Sequence, residues 1–326
     1  MTNYFVLSDS LKFNIQNPLA GLLSLETRIW DAHVHIWDAD AFNDLTKWGN
    51  TYGVSRFMGI ATPDVKKVLD QNGKASKIVF AFYLPMEAFA NHNPDILLSA
   101  VGEAHRLNYK MCKMWFGPRF LDYYESKKKF SISDPIFVPV FSQIEDYELP
   151  IDIHTADPDY WYETVYLDKE RYRTKNQAID EFTTVLERHP SLKAVSIHFG
   201  SLPEDLDRLS VLLRRFPNVS IDTASTKWMV RELGKNPDKT KEFLVEFQKR
   251  ILFATDLSVG WTDRDDNYFA TRYWSQRLFW ETNVKNVELP FPDDDNPNPP
   301  TYINGLNLSP KFLEDLYWNN AERFFS

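Results

Sequence analysis

The sequence has few of the features that mark secreted or membrane proteins. Its single cysteine, Cys112, excludes a disulfide within the chain, so a reducing compartment is expected. No stretch approaches the roughly 18 uninterrupted apolar residues of a membrane-spanning helix. The N-terminus lacks a basic segment followed by an apolar run, so no signal peptide is expected. These absences together predict a cytoplasmic globular protein with no membrane partner.

Positive charge is also in deficit. The chain has 37 Lys and Arg against 46 Asp and Glu, a formal net charge of −9. This balance argues against a nucleic-acid or anionic-membrane partner and leaves a small-molecule substrate as the expected one. Hydrophobic residues are plentiful instead, at 43%, with 15% aromatic residues over 326 positions. Such a chain can build a large packed core.

Short apolar runs recur along the chain and are separated by segments long enough for helices. The eight runs that we predict as strands are 29–35, 55–61, 78–84, 111–116, 151–155, 194–199, 219–223 and 251–256. Helical patterns are predicted over 93–107, 176–188 and 204–215, where Asn-Pro opens the first and leucines three and four residues apart line the last. Strands alternating with helices favour parallel pairing and a (β/α)8 TIM barrel, typically about 250 residues long.

The barrel prediction assigns residues 1–326 to a single domain. The surplus length is expected in an N-terminal extension, 1–26, and in a loop-rich segment after strand eight, 257–304. Within that segment, 288–300 is rich in proline and aspartate. Proline cannot donate a backbone hydrogen bond and neighbouring acids repel, so a solvated loop of undetermined role is predicted there.

The stretch from Trp30 to His35 places two histidines two residues apart. On a strand, His33 and His35 would point to the same face, where two imidazoles suit a divalent transition metal. Catalytic groups of such barrels lie at the C-terminal ends of strands, and His154, His198 and Asp256 end three other predicted strands. Each of these alone is more often a core histidine or a loop cap. Jointly they form a mixed nitrogen and oxygen ligand set.

The other three histidines, His92, His105 and His189, fall in loop or helix surroundings. They are predicted to be ordinary surface or capping residues.

At this point the residues resemble a known family. The segments WDAHVHIWD, LPIDIHTADP, HPSLKAVSIHFGS, FPNVSIDTAS, RILFATD and INGLNLSPKFLEDLYWNNAERFF are similar to the amidohydrolase-related branch of the amidohydrolase superfamily. The resemblance implies one divalent metal, zinc or else manganese, held by His33, His35, His154 and Asp256. It also implies that Asp256 and His198 are catalytic and that the protein forms a homodimer.

Four further residues are candidates for substrate binding or metal bridging. The resemblance implies a second metal only if Lys113 is carboxylated; otherwise the lysine pairs with a nearby acid or binds a substrate carboxylate. Asp157 follows the strand-five histidine, while Arg264 and Arg272 follow Asp256, in loops that would face the barrel mouth. An arginine there could grip a carboxylate, although a plain surface position is equally consistent with the sequence.

The residues and the resemblance together predict a metal-dependent hydrolase. A metal-activated water would attack the carbonyl of a small ester, lactone or amide, Asp256 would accept its proton, and His198 would stabilise the oxyanion or move the proton. The alternative is a metal-dependent non-oxidative decarboxylase of a small carboxylated, aromatic substrate. A barrel that only binds a ligand and a metal-free lactonase are two further hypotheses.

Overall fold

The structure, a computed structural model, describes residues 11–24, 28–124 and 130–326, in which strands and helices alternate. The strands are β1 (Ile29–Ile36), β2 (Val54–Ile60), β3 (Ile78–Tyr83), β4 (Met111–Trp115), β5 (Ile151–His154), β6 (Ala194–Ser196), β7 (Val219–Asp222), β8 (Ile251–Leu252), β9 (Leu257–Val259), β10 (Val287–Glu288) and β11 (Tyr302–Ile303). The α/β fold class is therefore confirmed. Each of the eight predicted runs contains a strand.

The helices fill the intervals between the strands. They are α1 (Phe42–Thr51), α2 (Pro63–Gln71), α3 (Met86–Ala90), α4 (Pro94–Arg106), α5 (Phe120–Tyr123), α6 (Val138–Asp146), α7 (Asp159–Thr164), α8 (Lys169–Tyr172), α9 (Lys175–Arg188), α10 (Ile197–Gly200), α11 (Leu206–Arg215), α12 (Thr226–Leu233), α13 (Pro237–Glu246), α14 (Asp266–Glu281), α15 (Pro310–Glu314) and α16 (Asn320–Phe325). Short 3-10 turns cover Ala75–Lys77, Pro135–Phe137 and Gln248–Arg250, and a π-helical turn covers Asp315–Asn319.

The helix boundaries follow capping rules that the sequence displays. The Asn93 side chain accepts a hydrogen bond from the Ile96 amide at 3.3 Å and opens α4 directly before Pro94. Thr174 and Gln177 form a reciprocal capping box at the start of α9. The predicted leucine stripe of α11 is buried, as its spacing indicates.

The chain divides into two compact units. The first consists of residues up to 59, 68–78 and 223–326, and the second of 60–67 and 79–222. In the first unit β1 pairs in parallel with β9, with Val34 opposite Leu257 and Ile36 opposite Val259. In the second unit β3 to β7 pair in sequence order, and each of these neighbouring strands runs parallel to the next.

The N-terminal extension is described only in part, because 1–10 and 25–27 lie outside the described residues. Residues 11–24 form turns without a strand or helix. They pack on α14 within the first unit, where Trp274 Nε1 donates to the Ala20 carbonyl at 2.9 Å and Arg277 Nη2 donates to the Leu23 carbonyl at 2.7 Å. The described part of the extension thus covers a helix.

The segment 257–304 is less loop-rich than predicted, because it contains β9 and the sixteen-residue helix α14. Twelve of the thirteen positions of α14 from Phe269 to Glu281 are buried, and Arg272 is the exception. A helix buried on every side has no polar face and therefore no amphipathic period for sequence analysis to detect. This is why the helix escaped prediction.

The proline- and aspartate-rich stretch 288–300 is anchored and not simply solvated. Arg231 Nη1 pairs with Asp293 Oδ2 at 2.5 Å, and Lys227 Nζ pairs with Asp295 Oδ2 at 2.7 Å. The flanking strands β10 and β11 pair in antiparallel fashion. Two cations of α12 therefore neutralise Asp293 and Asp295, whose mutual repulsion was the reason to predict a solvated loop.

Across the described ranges, none of the helices combines the length and apolar character that crossing a membrane requires.

Candidate metal centre

Three of the four predicted metal ligands converge in the first unit. His33 Nε2 lies 3.3 Å from His35 Nε2, and Asp256 Oδ1 lies 3.4 Å and 3.2 Å from these two nitrogens. The His33 side chain is fully buried, whereas 18% of His35 and 31% of the Asp256 side chain are exposed. The group, which we call the ligand triad, is thus buried on one side and open on the other.

The backbone of the strand ends brings the triad together. The two-residue period of β1 points both imidazoles to one face, as predicted. The Asp256 amide donates to the His33 carbonyl at 3.0 Å, which ties the two segments directly at the site. Asp256 has φ +61°, a left-handed conformation that residues other than glycine seldom adopt. Such strain is typical of functional positions. Predicted strand eight, 251–256, is a strand only at Ile251–Leu252, and Asp256 directly precedes β9.

The Asp31 carboxylate is hydrogen-bonded to both chain segments that carry the triad. It accepts hydrogen bonds from Thr255 Oγ1 at 2.6 Å, the Thr255 amide at 3.1 Å and Tyr273 OH at 3.0 Å. It also accepts a long bond, 3.4 Å, from the His33 amide. Complete burial raises the pKa of Asp31 to about 7 despite these four donors. The network links the residue before Asp256 to the strand that carries His33.

The triad fits a divalent transition metal. Ligand atoms about 2.1 Å from a metal are about 3.4 Å apart in a tetrahedral site and about 3.0 Å apart in an octahedral one. The observed separations of 3.2–3.4 Å match the edges of such a ligand set. Two imidazole nitrogens and one carboxylate oxygen are a donor set that suits zinc and manganese.

The structure places His154, His198 and Asp157 in a second group, within the second unit. His154 Nε2 lies 2.9 Å from Asp157 Oδ1 and 3.2 Å from the Ala156 carbonyl oxygen, so this nitrogen carries the proton. In the neutral ring Nδ1 then keeps its lone pair. Tyr166 OH donates to the other oxygen of Asp157 at 2.7 Å. Because both oxygens of Asp157 have protein partners, an orienting role is favoured over substrate contact.

His198 does not end a strand as predicted. Strand β6 stops at Ser196, and His198, Phe199, Gly200 and Ser201 all have positive φ. This left-handed turn sets the His198 ring edge-on to His154, with 4.5 Å between ring centroids. The His198 amide donates to Asp222 Oδ1 at 2.8 Å, which holds the turn against β7.

Lys113 is buried on β4 and has an acidic partner. Its Nζ lies 3.1 Å from Asp152 Oδ1, and the two side chains are 2% and 0% exposed. A carboxylated lysine would be an anion beside this buried carboxylate, which is electrostatically unfavourable. The arrangement favours the reading of Lys113 as an ion-paired lysine.

Arg272 lies on α14 close enough to Asp256 to interact with it electrostatically. Its guanidinium stacks on Tyr268, with 4.1 Å to the ring centroid, and Tyr268 OH accepts a hydrogen bond from the Ser258 amide at 3.1 Å. Arg264, an exposed residue, stacks on the same ring at 4.4 Å. Both arginines named in the sequence analysis therefore share one aromatic partner next to β9.

Sequence reasoning missed Asp31, Thr255, Tyr268 and Tyr273. The two-residue period was a usable signal for Asp31, since residues 31, 33 and 35 share one face of β1. The two tyrosines lie on α14, whose existence was not predicted.

Of the remaining histidines, His105 at the surface and His189 at a helix end match the prediction of surface or capping residues, whereas His92 does not. His92 is buried against the Phe137 ring at 5.7 Å, and His189, which ends α9, is buried with Nδ1 2.6 Å from Glu145 Oε2. His105 is exposed and stacks on Tyr147 at 4.2 Å.

Comparison with known proteins finds a family match over most of the chain. The family model described as Amidohydrolase matches residues 104–326, more than half of the sequence. The matched range contains His154, His198 and Asp256, whereas His33 and His35 lie outside it and join Asp256 through the geometry above. No curated protein matches the sequence.

Several solved structures are similar in fold. One is 5-carboxyvanillate decarboxylase from Sphingomonas paucimobilis, with 13% identity, a TM-score of 0.51 and coverage of 92% of this chain and 99% of that chain. Another is 2,6-dihydroxybenzoate decarboxylase from Rhizobium, with 12% identity, a TM-score of 0.50 and coverage of 92% and 98%. A third is a dihydroxybenzoic acid decarboxylase from Polaromonas sp. JS666 with bound manganese and the inhibitor 2-nitroresorcinol, at 11% identity, a TM-score of 0.55 and coverage of 92% and 97%.

Proposed function

Because the chain belongs to the amidohydrolase family, we propose that it is a metal-dependent enzyme whose metal is bound by His33, His35 and Asp256. The observation that carries this proposal is the convergence of three ligand atoms within 3.4 Å of one another. A divalent metal bound there would supply Lewis-acid chemistry, polarising an oxygen of a small substrate. Zinc is the ion expected from the sequence, and manganese is the ion in the Polaromonas structure.

We propose His154 as the fourth ligand; because its Nε2 donates to Asp157, Nδ1 would be the atom available to a metal. We propose a single metal per chain, since Lys113 already pairs with Asp152 and a bridging carboxylate on this lysine would oppose that acid. His198 then remains a catalytic residue and not a ligand.

The reaction that we propose is non-oxidative decarboxylation of a small aromatic carboxylic acid. The similar structures named above are decarboxylases of such acids, which supports this reaction over the hydrolysis first predicted. Loss of carbon dioxide breaks the bond between the carboxyl carbon and the ring and leaves its electron pair on the ring carbon. That carbon takes up a proton, and we assign Asp256 or His198 as the donor. The donor regains its proton from solvent before the next turnover.

We further propose that the predicted strands close into one (β/α)8 barrel domain covering residues 1–326. The coverage of 92% of this chain by a single chain of each similar structure supports that arrangement. A homodimer in the cytoplasm remains a prediction, and light scattering of the purified protein tests the dimer.

Hydrolysis of an ester, lactone or amide is the second candidate, and the description of the matched family favours it. In that reaction Asp256 accepts a proton from the attacking water and His198 steadies the oxyanion. Both reactions would thus use the same two side chains, and Asp256 would accept a proton in hydrolysis where it could donate one in decarboxylation.

Metal content tests the ligand assignment. Protein purified without added metal or chelator, then incubated with zinc or manganese, is expected to hold about one divalent ion per chain by mass spectrometry of the metal. His35→Ala is expected to lose most of it, whereas His105→Ala, an exposed histidine, retains it. Less than a tenth of an equivalent in the unmutated protein would overturn the metal mechanism.

Product analysis separates the two reactions. Metal-loaded protein is incubated with 2,6-dihydroxybenzoate and with 5-carboxyvanillate, and carbon dioxide and the decarboxylated ring are quantified. Release of both in equal amounts, lost in Asp256→Asn, supports decarboxylation. Turnover of simple esters or lactones without carbon dioxide release would replace it with hydrolysis.

A further inference from the structure

A pocket of about 450 Å³ opens beside the start of α14. It is lined by the segment that enters the helix, by one face of the first helical turns and by the aromatic and proline residues 290–292. Its walls thus combine arginines with apolar surface, the composition of a site for a small organic anion.

The geometry of Arg272 is the main feature of this pocket. The guanidinium lies between two rings, 4.1 Å from the Tyr268 centroid and 4.3 Å from the Phe291 centroid. Its Nη1 donates to the Tyr268 carbonyl at 2.9 Å. With both faces of the guanidinium covered by rings, only its edge nitrogens can bind a ligand, and that edge matches a carboxylate.

Arg272 forms no ion pair with an acidic side chain in the part of the chain that the structure describes. Of the pocket's two acids, Asp265 caps α14 by accepting from the Tyr268 amide at 2.9 Å, and Asp263 is exposed. Burial lowers the pKa of Arg272 because removing a cation from water is costly, and the charges of Asp256 and Asp265 offset that cost only in part. An anionic ligand would offset that cost.

We propose that this pocket binds the carboxylate of a small planar organic acid through Arg272, with Tyr268 and Phe291 packing against its apolar part. That this ligand is the substrate rests on the proposed function. The substrate then carries an anionic group that Arg272 recognises separately from the metal.

The test uses full-length protein stripped of metal with a chelator, so that the triad cannot bind a carboxylate through an ion. Benzoate and its neutral counterpart benzamide are titrated by calorimetry. Benzoate is expected to bind and benzamide to bind at least about tenfold more weakly, because charge-assisted hydrogen bonds contribute more than neutral ones. Arg272→Gln is expected to lower benzoate affinity at least about tenfold, and Arg272→Lys, which keeps only the charge, by an intermediate factor.

Arg250→Gln is the matched control, since Arg250 also stacks on a ring, Phe247, at 5.9 Å, outside the pocket. It should leave benzoate affinity unchanged. Thermal unfolding checks that each variant is folded, and the Lys variant carries the comparison if the Gln variant is not. Absence of benzoate binding in the unmutated protein, equal binding of benzamide, equal affinity in Arg272→Gln, or inorganic phosphate competing more strongly than benzoate would each overturn the proposal. Because no metal is present, failure here is distinct from failure to bind metal or to release carbon dioxide.

Discussion

Asp31 joins the strand bearing His33 and His35 to the segment bearing Asp256. An amide at this position has one acceptor oxygen where the carboxylate has two, and these two receive hydrogen bonds from Thr255 and Tyr273. We therefore expect Asp31→Asn to weaken metal binding by about 10- to 100-fold, the usual effect of losing a group that orients ligands. Competition against a chelating dye measures the affinity.

A graded control is available for this prediction. Tyr273→Phe removes one donor and leaves the Thr255 contacts, so its metal affinity should fall less than that of Asp31→Asn. If Asp31→Asn bound metal as tightly as the unmutated protein, the orienting role of Asp31 would be wrong.

Cys112, on β4, is fully buried, and burial raises the pKa of its thiol to about 12. At pH 8 only about one thiol in 10⁴ would then be a thiolate, the form that reacts with disulfide reagents. We expect the native protein to react with a thiol-specific chromogenic disulfide far more slowly than the protein in guanidinium, which should titrate one thiol at once. Rapid colour release from the native protein would contradict this burial.

At the scale of elements, the segment 288–301 depends on its anchors to α12. Asp293 accepts from Arg231 and from Thr301 Oγ1, the latter at 2.6 Å. Asp293→Asn removes the charge that pairs with Arg231, so limited proteolysis should cut within 288–301 several-fold faster. Asp294→Asn, at the exposed neighbouring position, is the control and should leave the rate unchanged.

The strands were predictable from the sequence because they are buried and parallel. Such strands read as continuous apolar runs, and 78–84 and 151–155 match β3 and β5 within one residue. The early ends of strands six and eight were not predictable, because the left-handed backbone at His198 and Asp256 leaves no mark on composition. Those two deviations both occur at predicted catalytic residues, where local rules most often fail.

The candidate site was predictable by residue type but not by arrangement. The sequence placed His33, His35 and Asp256 at strand ends, and the structure brings their ligand atoms together. It could not show that Tyr166 hydrogen-bonds Asp157 or that Lys113 pairs with Asp152, because these partners are 9 and 39 positions apart in the chain.

For the whole molecule, metal binding should increase the free energy of unfolding. A ligand that binds only the folded state stabilises it by about 2.7 kcal/mol at a hundred times its dissociation constant. We expect manganese or zinc in that excess over chelated protein to raise the unfolding temperature by several degrees. His33→Ala should lose this increase, and His105→Ala should keep it; an equal increase in both variants would place the ion elsewhere.

The discontinuity of the first unit governs when the site can form during synthesis. Trp30, on the strand of the two histidine ligands, stacks on Phe325 at 5.4 Å and contacts Trp318 at 5.6 Å. The ribosome delivers His33 and His35 early, yet Trp30 gains these two aromatic partners only after residue 325 emerges, long after 79–222 are available to fold. The nascent chain therefore carries both imidazoles well before Asp256 is synthesised, and the triad can assemble only late in synthesis.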